Sequence, residues 1–161
     1  MHEPRFLLAA LFTGRVICHL LKHMYQPLFE PQEDGLEIPE VGSWAETKYR
    51  LVGLYDKLFS TGMKDRWETR VYIDLYAGAG YSRIRGKNRL LAGSPFLALS
   101  VPDPFDKYIF CESSSPLLEA LKKRVRKHFP KADAKFVLGD CNDKVEEIVV
   151  HPSKTRQVVS V

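Results

Sequence analysis

Three short apolar runs, each with an acidic residue at or just past its end, constrain this chain more than any other feature. They are Val71-Tyr-Ile-Asp-Leu75, Lys107-Tyr-Ile-Phe-Cys-Glu112, and Ala134-Lys-Phe-Val-Leu138 followed by Gly139-Asp140. Their length and their β-branched and aromatic content suit strands buried on both faces. Between the second and third, Ser115-Pro116 opens a segment in which Leu117, Leu118, Leu121 and Val125 recur at helical spacing. Strands alternating with helices imply parallel pairing through right-handed crossovers, hence an α/β fold. In an open sheet of that kind, ligands bind beyond the carboxyl ends of the strands, near the switch in strand order. The acidic residues are expected to meet there.

The other elements follow from local signals. Ser43-Trp-Ala-Glu46 has the pattern of a capping box and starts a helix carrying Leu51, Leu54, Tyr55, Leu58 and Phe59, with Gly62 as its stop. Arg83 to Arg89 reads as a basic hairpin, and Ser94-Pro95 as a helix start with Ser94 as the N-cap. A short helix is expected from Asp143 to Val150, and a fourth strand from Arg156 to Val161, where the chain ends. Residues 26–40 contain Pro27, Pro31 and Pro39 and read as a linker. The expected organisation is therefore an N-terminal extension and linker over 1–40 and a single domain over 41–161.

The chain's 161 residues allow one core and not two. A net charge of +4 permits a nucleic-acid partner without demanding one. The apolar run Phe6–Phe12 is too short to span a bilayer, and Arg15, His19, Lys22 and His23 follow it closely. An amphipathic helix or an extension fits better, and no membrane association is expected. Cys18, Cys111 and Cys141 form no Cys-x-x-Cys motif and are odd in number, which points to a reducing, cytoplasmic setting. His19 and His23 stand four apart but lack a third ligand, so no metal is expected.

The chemistry concentrates at the strand ends. In Asp74-Leu-Tyr-Ala-Gly-Ala-Gly80, Gly78 and Gly80 let the backbone turn sharply and approach a ligand, while Asp74 can accept from an amine. Glu112 has two acceptor oxygens for a ribose diol, and Asp140 can accept from an adenine amino group. Together they describe a nucleoside laid across the strand ends. A dinucleotide is disfavoured: Tyr81, Ser82 and Arg83 follow Gly80, so the third glycine is missing, and no helix begins until Ser94. Arg83, Arg85, Lys87 and Arg89 alternate and would share one strand face, where they could meet a phosphate-bearing substrate. The run Lys122, Lys123, Arg124, Arg126, Lys127 reads as a solvated helix face. Trp44 and Trp67 read as core or lid aromatics.

From about Asp34 onward the sequence resembles the three-Cys-motif partner proteins. The blocks that carry the resemblance are Val41-Gly-Ser-Trp-Ala-Glu-Thr-Lys48, Tyr72-Ile-Asp-Leu-Tyr-Ala-Gly-Ala-Gly80, Gly93-Ser-Pro95, Phe105-Asp-Lys-Tyr-Ile-Phe-Cys-Glu112 and Gly139-Asp140. The resemblance implies a Rossmann-like class I methyltransferase fold in three layers, with S-adenosylmethionine as cofactor. It makes Asp74, Tyr76, Ala77, Gly78, Gly80, Glu112 and Asp140 the expected cofactor-binding positions. It also implies a partner protein bearing the cysteine motif, distinct from the three cysteines here. The glycine loop is similar to that of cytosine-C5 DNA methyltransferases too, but their Pro-Cys nucleophile has no counterpart in this sequence. Asp103-Pro-Phe105 approximates the Asp-Pro-Pro-aromatic motif of amino-methyltransferases, but it precedes the second strand and reads as a turn. In the family, further strands and an acidic-proline motif follow the fourth strand. This chain is accordingly expected to be C-terminally truncated, inactive as it stands, and without an identifiable catalytic base. The competing expectation is a non-catalytic module of the same fold that binds a partner protein or nucleic acid.

Overall fold

The computed structural model describes residues 29–148 and the backbone of residues 156–160. The expectations for Phe6–Phe12, Cys18, His19 and His23 lie outside the described residues. In chain order the elements are β1 (Glu40–Val41), α1 (Ala45–Met63), β2 (Arg70–Asp74), β3 (Tyr81–Ile84), β4 (Leu90–Ala92), α2 (Ser94–Leu99), β5 (Lys107–Glu112), α3 (Ser115–His128), β6 (Ala134–Leu138), α4 (Val145–Ile148) and β7 (Arg156–Ser160).

The main sheet has the order β6-β5-β2-β7 and every pairing in it is parallel. The register brings Asp74 opposite Phe110 on one side and Ser160 on the other, and Glu112 opposite Leu138. The three acid-tipped runs are thus three adjacent strands, and the class is α/β. Alternate residues serve two cores, as a strand's period of two requires. Tyr72, Tyr108 and Phe110 join Phe96, Leu97, Leu118, Leu121 and Val125, which come from α2 and α3. Val71, Ile73, Ile109, Cys111 and Val137 join Cys141 and Ile148 of the α4 region.

A second sheet, β1-β3-β4, pairs β1 parallel to β3 and β3 antiparallel to β4. It ties the segment before α1 to the domain. The stretch read as a linker packs closely from Phe29 onward. The Phe29 ring centroid lies 4.9 Å from that of Phe96 and 4.8 Å from that of His128, and Ile38 packs against the same core.

Several local expectations are corrected. The Ser43–Glu46 capping box does not form. The Glu46 N–H bonds the Ser43 backbone carbonyl, and the Glu46 carboxylate is taken by Arg89, with Lys87 nearby. A tertiary cation displaced the local cap. α1 runs one residue past Gly62. Its buried positions are Ala45, Gly53, Asp56 and Ser60, whereas Leu51, Tyr55 and Leu58 are exposed. Small residues let α1 approach closely, so that side faces inward together with Val52 and Phe59, and Leu51, Tyr55 and Leu58 of the expected apolar stripe turn outward. The N-caps of α2 and α3 are Gly93 and Ser114, one residue earlier than the Ser-Pro reading placed the first. α4 starts at Val145, after a turn hung on the Asp140 carbonyl, which accepts from Asp143 and Lys144.

Arg124 departs furthest from expectation. It belongs to the basic run of α3 yet is fully buried. Its guanidinium makes a two-point contact with Asp34, both N–O distances 2.7 Å, and donates to the carbonyls of Glu37 at 2.9 Å and Ala79 at 2.8 Å. It also lies 4.2 Å from the centroid of the Tyr81 ring. Periodicity marks Arg124 as one of a row of surface charges; only the arrival of Asp34, 90 residues away, makes its burial tolerable.

Gly80 adopts φ +81°, and a Cβ there would fall 2.8 Å from Phe96 and 2.9 Å from Leu121. Gly78, at φ +60°, has open space instead. Gly80→Ala is therefore expected to lose about 3 kcal/mol in urea unfolding, from strain and overpacking combined. Gly78→Ala should lose only about 1 kcal/mol, from backbone conformation alone. Equal losses would show that the close packing around Gly80 is not the controlling term.

Candidate functional site

The carboxyl ends of β2, β5 and β6 lie side by side, and each contributes one acid. Asp74 closes β2 and is 3% exposed. Its Oδ1 accepts from the Tyr76 N–H at 3.2 Å. Its Oδ2 is buried and makes no hydrogen bond of its own, although the Ser94 hydroxyl nearby favours the ionised form. Burial is the dominant influence and holds the Asp74 carboxyl above the usual carboxylate range.

Glu112, at the end of β5, organises the loop after β2. Its Oε2 accepts from the Gly78 N–H at 2.8 Å, and its Oε1 from the Ser114 N–H at 2.9 Å, just before α3. The Ala77 N–H bonds the Cys111 carbonyl at 3.0 Å, so the glycine loop is stitched across the end of β5. The loop's other end is fixed by the Gly80 carbonyl, which accepts from the Gly93 N–H at 2.8 Å. Asp140, beyond β6, is exposed, and its Oδ1 accepts from the Asn142 backbone and side-chain amides. Tyr76 stands exposed at the rim, with its hydroxyl 3.5 Å from the Cys141 sulfur.

The expected cofactor positions are thus neighbours. Asp74, Glu112 and Asp140 end three adjacent strands, and Tyr76, Ala77, Gly78 and Gly80 form the connection between β2 and β3. The positive φ of Gly78 and Gly80 is what turns that connection back over the strand ends.

The basic residues behave differently. Only Arg83 lies in β3; Arg85, Lys87 and Arg89 fall in the turn before β4, so the four do not share a strand face. The strand stops at Ile84 because Gly86, at φ +73°, makes the turn. Each cation has a carboxylate near it. Arg83 meets Glu33, Arg85 lies 3.7 Å from Glu40, and Lys87 and Arg89 share Glu46. Asp103-Pro-Phe105 sits before β5, at the opposite end of the sheet, where Asp103 accepts from Thr61 and Lys64. Trp44 is exposed beside Gly42, and Trp67 packs edge-on against Phe59.

Sequence reasoning gave Asp56 and Lys48 no role at the site and read Ser94 as a helix cap, whereas all three act on or beside Asp74. Asp56 lies on α1, is 1% exposed, and has an Oδ2 with no hydrogen bond. Burial, then the charge of Asp74, push its carboxyl up to about 7. Exposed Lys48, roughly two turns earlier on α1, opposes the shift at Asp74. Asp56 stands two positions from Leu54 and Leu58 in an apolar stretch. A lone acid in such a stretch was the available signal.

Among the described residues no group of three or more His, Cys, Asp or Glu is placed to hold a metal ion, and no helix is long and apolar enough to cross a membrane. Cys111 and Cys141 are buried free thiols, and burial pushes the Cys111 thiol up.

No protein-family model and no curated protein matches the sequence. Among solved structures, the chain is similar to protein LPL1258 from Legionella pneumophila str. Philadelphia 1, of the family DUF519. The TM-score is 0.52, with 14% identity over 67% of this chain. The chain spans about half, 52%, of that protein's length. At that identity the likeness is one of fold.

Asp56 gives a pH signature. Its folded pKa of about 7 lies above its ordinary value of 3.8, so the folded state holds a proton that the unfolded chain releases. Its contribution to stability is full below about pH 4 and is lost as pH rises to about 7. The loss is on the order of 4 kcal/mol. Asp56→Asn is expected to raise the melting temperature at pH 8 and to change it little at pH 4. A variant destabilised equally at both pH values would contradict this.

Proposed function

We propose that the chain is the cofactor-binding part of a Rossmann-like, S-adenosylmethionine-dependent methyltransferase of the three-Cys-motif partner type. The observation that carries the reading is the convergence of Asp74, Glu112 and Asp140 at the ends of three adjacent parallel strands, around a glycine loop. The strand order supports it as well. β6-β5-β2-β7 follows the chain outward from β2 on one side, then crosses to the other, as a doubly wound sheet does at its switch point.

The residues present fit such a cofactor. Asp74 holds a buried oxygen with a free acceptor site, suited to an ammonium group. Gly78 leaves open space where a side chain would stand. Glu112 Oε2 accepts one backbone N–H and retains a lone pair for a ribose hydroxyl, while Oε1 accepts from the Ser114 N–H and, at 3.4 Å, from the Ser113 hydroxyl, which a second ribose hydroxyl could replace. Asp140 is exposed and within a short loop of β6, suited to the adenine amino group. Tyr76, Ala77 and Gly80 complete the wall.

When bound, the cofactor supplies a methyl group on a positively charged sulfur, already activated for transfer. The chain's own contribution is placement. Asp74 orients the amino-acid end, Glu112 fixes the sugar, and the glycine loop brings the backbone against both. The turn from Arg85 to Arg89 follows this loop across the length of β3, and a methyl acceptor is proposed to arrive along that hairpin. The Glu40 and Glu46 partners would have to yield before these cations could meet a phosphate. A partner protein bearing the cysteine motif belongs to the same reading.

Calorimetric titration with S-adenosylhomocysteine tests it. The chain should bind, and Glu112→Ala should weaken binding roughly ten- to hundred-fold, because two charge-assisted hydrogen bonds are lost. Unchanged affinity in a folded Glu112→Ala variant would overturn the site. A folded parent chain that binds nothing would favour a non-catalytic module of the same fold.

A further inference from the structure

We infer that Arg124 is a positioning residue for the glycine loop, and that through it the segment from Phe29 to Val41 belongs to the binding apparatus. The inference rests on the proposed function for what the loop binds. It rests on independent observations for how the loop is held.

The loop Ala77–Gly80 presents its N-terminal half to Glu112 and its C-terminal half to Arg124. The Ala79 carbonyl, between two glycines of positive φ, accepts from the Arg124 guanidinium at 2.8 Å. Gly80 leaves the peptide between Ala79 and itself freer to rotate than a side-chain-bearing residue would, so the bond to Arg124 selects which way that carbonyl, and with it the Gly80 N–H, faces. The same guanidinium nitrogen donates to the Glu37 carbonyl at 2.9 Å, while the other two nitrogens grip Asp34. One buried cation therefore holds the loop and the preceding segment at once.

Tyr81 completes the arrangement. Its ring lies under the guanidinium, and its hydroxyl stands 3.4 Å from His128 Nε2. The hydrogen bonds from the Arg124 side chain hold the Asp34 carboxyl below the usual carboxylate range. Lysine cannot replace this geometry. It carries the charge but not the planar fork that reaches Asp34, Glu37 and Ala79 together. Arg124 joins the two blocks of sequence, 34–37 and 77–81, through one side chain.

The test uses the full chain and two variants, Arg124→Lys and Asp34→Asn, with two readouts. The first is S-adenosylhomocysteine affinity by calorimetry. Arg124→Lys is expected to fold with a lowered melting temperature and to bind about ten-fold more weakly, and Asp34→Asn to lose less affinity, since its Ala79 contact survives. The second is amide hydrogen exchange. Arg124→Lys should speed exchange at the Gly93 amide, which bonds the Gly80 carbonyl, while leaving the β5 amides at the parent rate. If both folded variants bind as tightly as the parent, or exchange rises uniformly over the domain, the positioning role is wrong. If Arg124→Lys does not fold, Asp34→Asn decides on the same two readouts. If the parent binds no ligand, the proposed function fails, and the exchange pattern alone still decides whether Arg124 holds the loop.

Discussion

β2 is buried along its whole length, with parallel neighbours on both sides, and the rest of the structure is arranged around that constraint. A strand in this position can present no side chain to water except past its ends. Its neighbours must return by crossovers, so the carboxyl ends of β2, β5 and β6 collect at one edge. The chain leaves β2 at Asp74 and must turn at once, and the loop that does so lies across the end of β5, bonded to the Cys111 carbonyl and the Glu112 carboxylate. A site at that edge is thus a consequence of the sheet, and its chemistry is set by which residues end the strands.

The interior holds more charge than a core of this size ordinarily would. Arg70 is buried and donates to the carbonyls of Ser60 and Pro104, clipping the end of α1 to the turn before β5. Arg124 does the same at the other side, joining the segment around Asp34 to the glycine loop. Both are planar cations satisfied by several acceptors, which is the condition under which burial is tolerable. Asp56 and Asp74 differ. Each has a buried carboxylate oxygen with no hydrogen bond, and burial raises both pKa values. Asp74 differs from Asp56 in closing a strand, beside the Ser94 hydroxyl and the glycine loop.

Most of the scaffold was legible. The runs 71–75, 107–112 and 134–138 emerge as strands within a residue or so, because apolar content and length leave a buried strand as the only economical state. The Gly78 and Gly80 turn was legible for the same reason that it works, since only glycine takes those φ values freely. Local signals that depend on a short side chain finding a nearby amide were less dependable. Glu46 matched the capping pattern but met Arg89 instead, and the Ser-Pro start of α2 shifted by one residue. Alternation along 83–89 suggested one basic face, yet the chain turns at Gly86 and the four cations diverge.

By itself the sequence determined the α/β class, the strands and the three acids that end them, since periodicity and residue type act over a few neighbouring positions. The tertiary structure alone decided which charges are buried and what they hold. Arg124 looks like its neighbours in the row Lys122–Lys127 until Asp34, Glu37 and Ala79 arrive from distant parts of the chain. Asp56 looks like one polar residue on a helix until α1 closes on the domain through Gly53 and Ser60. Burial and partner identity are properties of contacts far apart in sequence, and no local pattern encodes them.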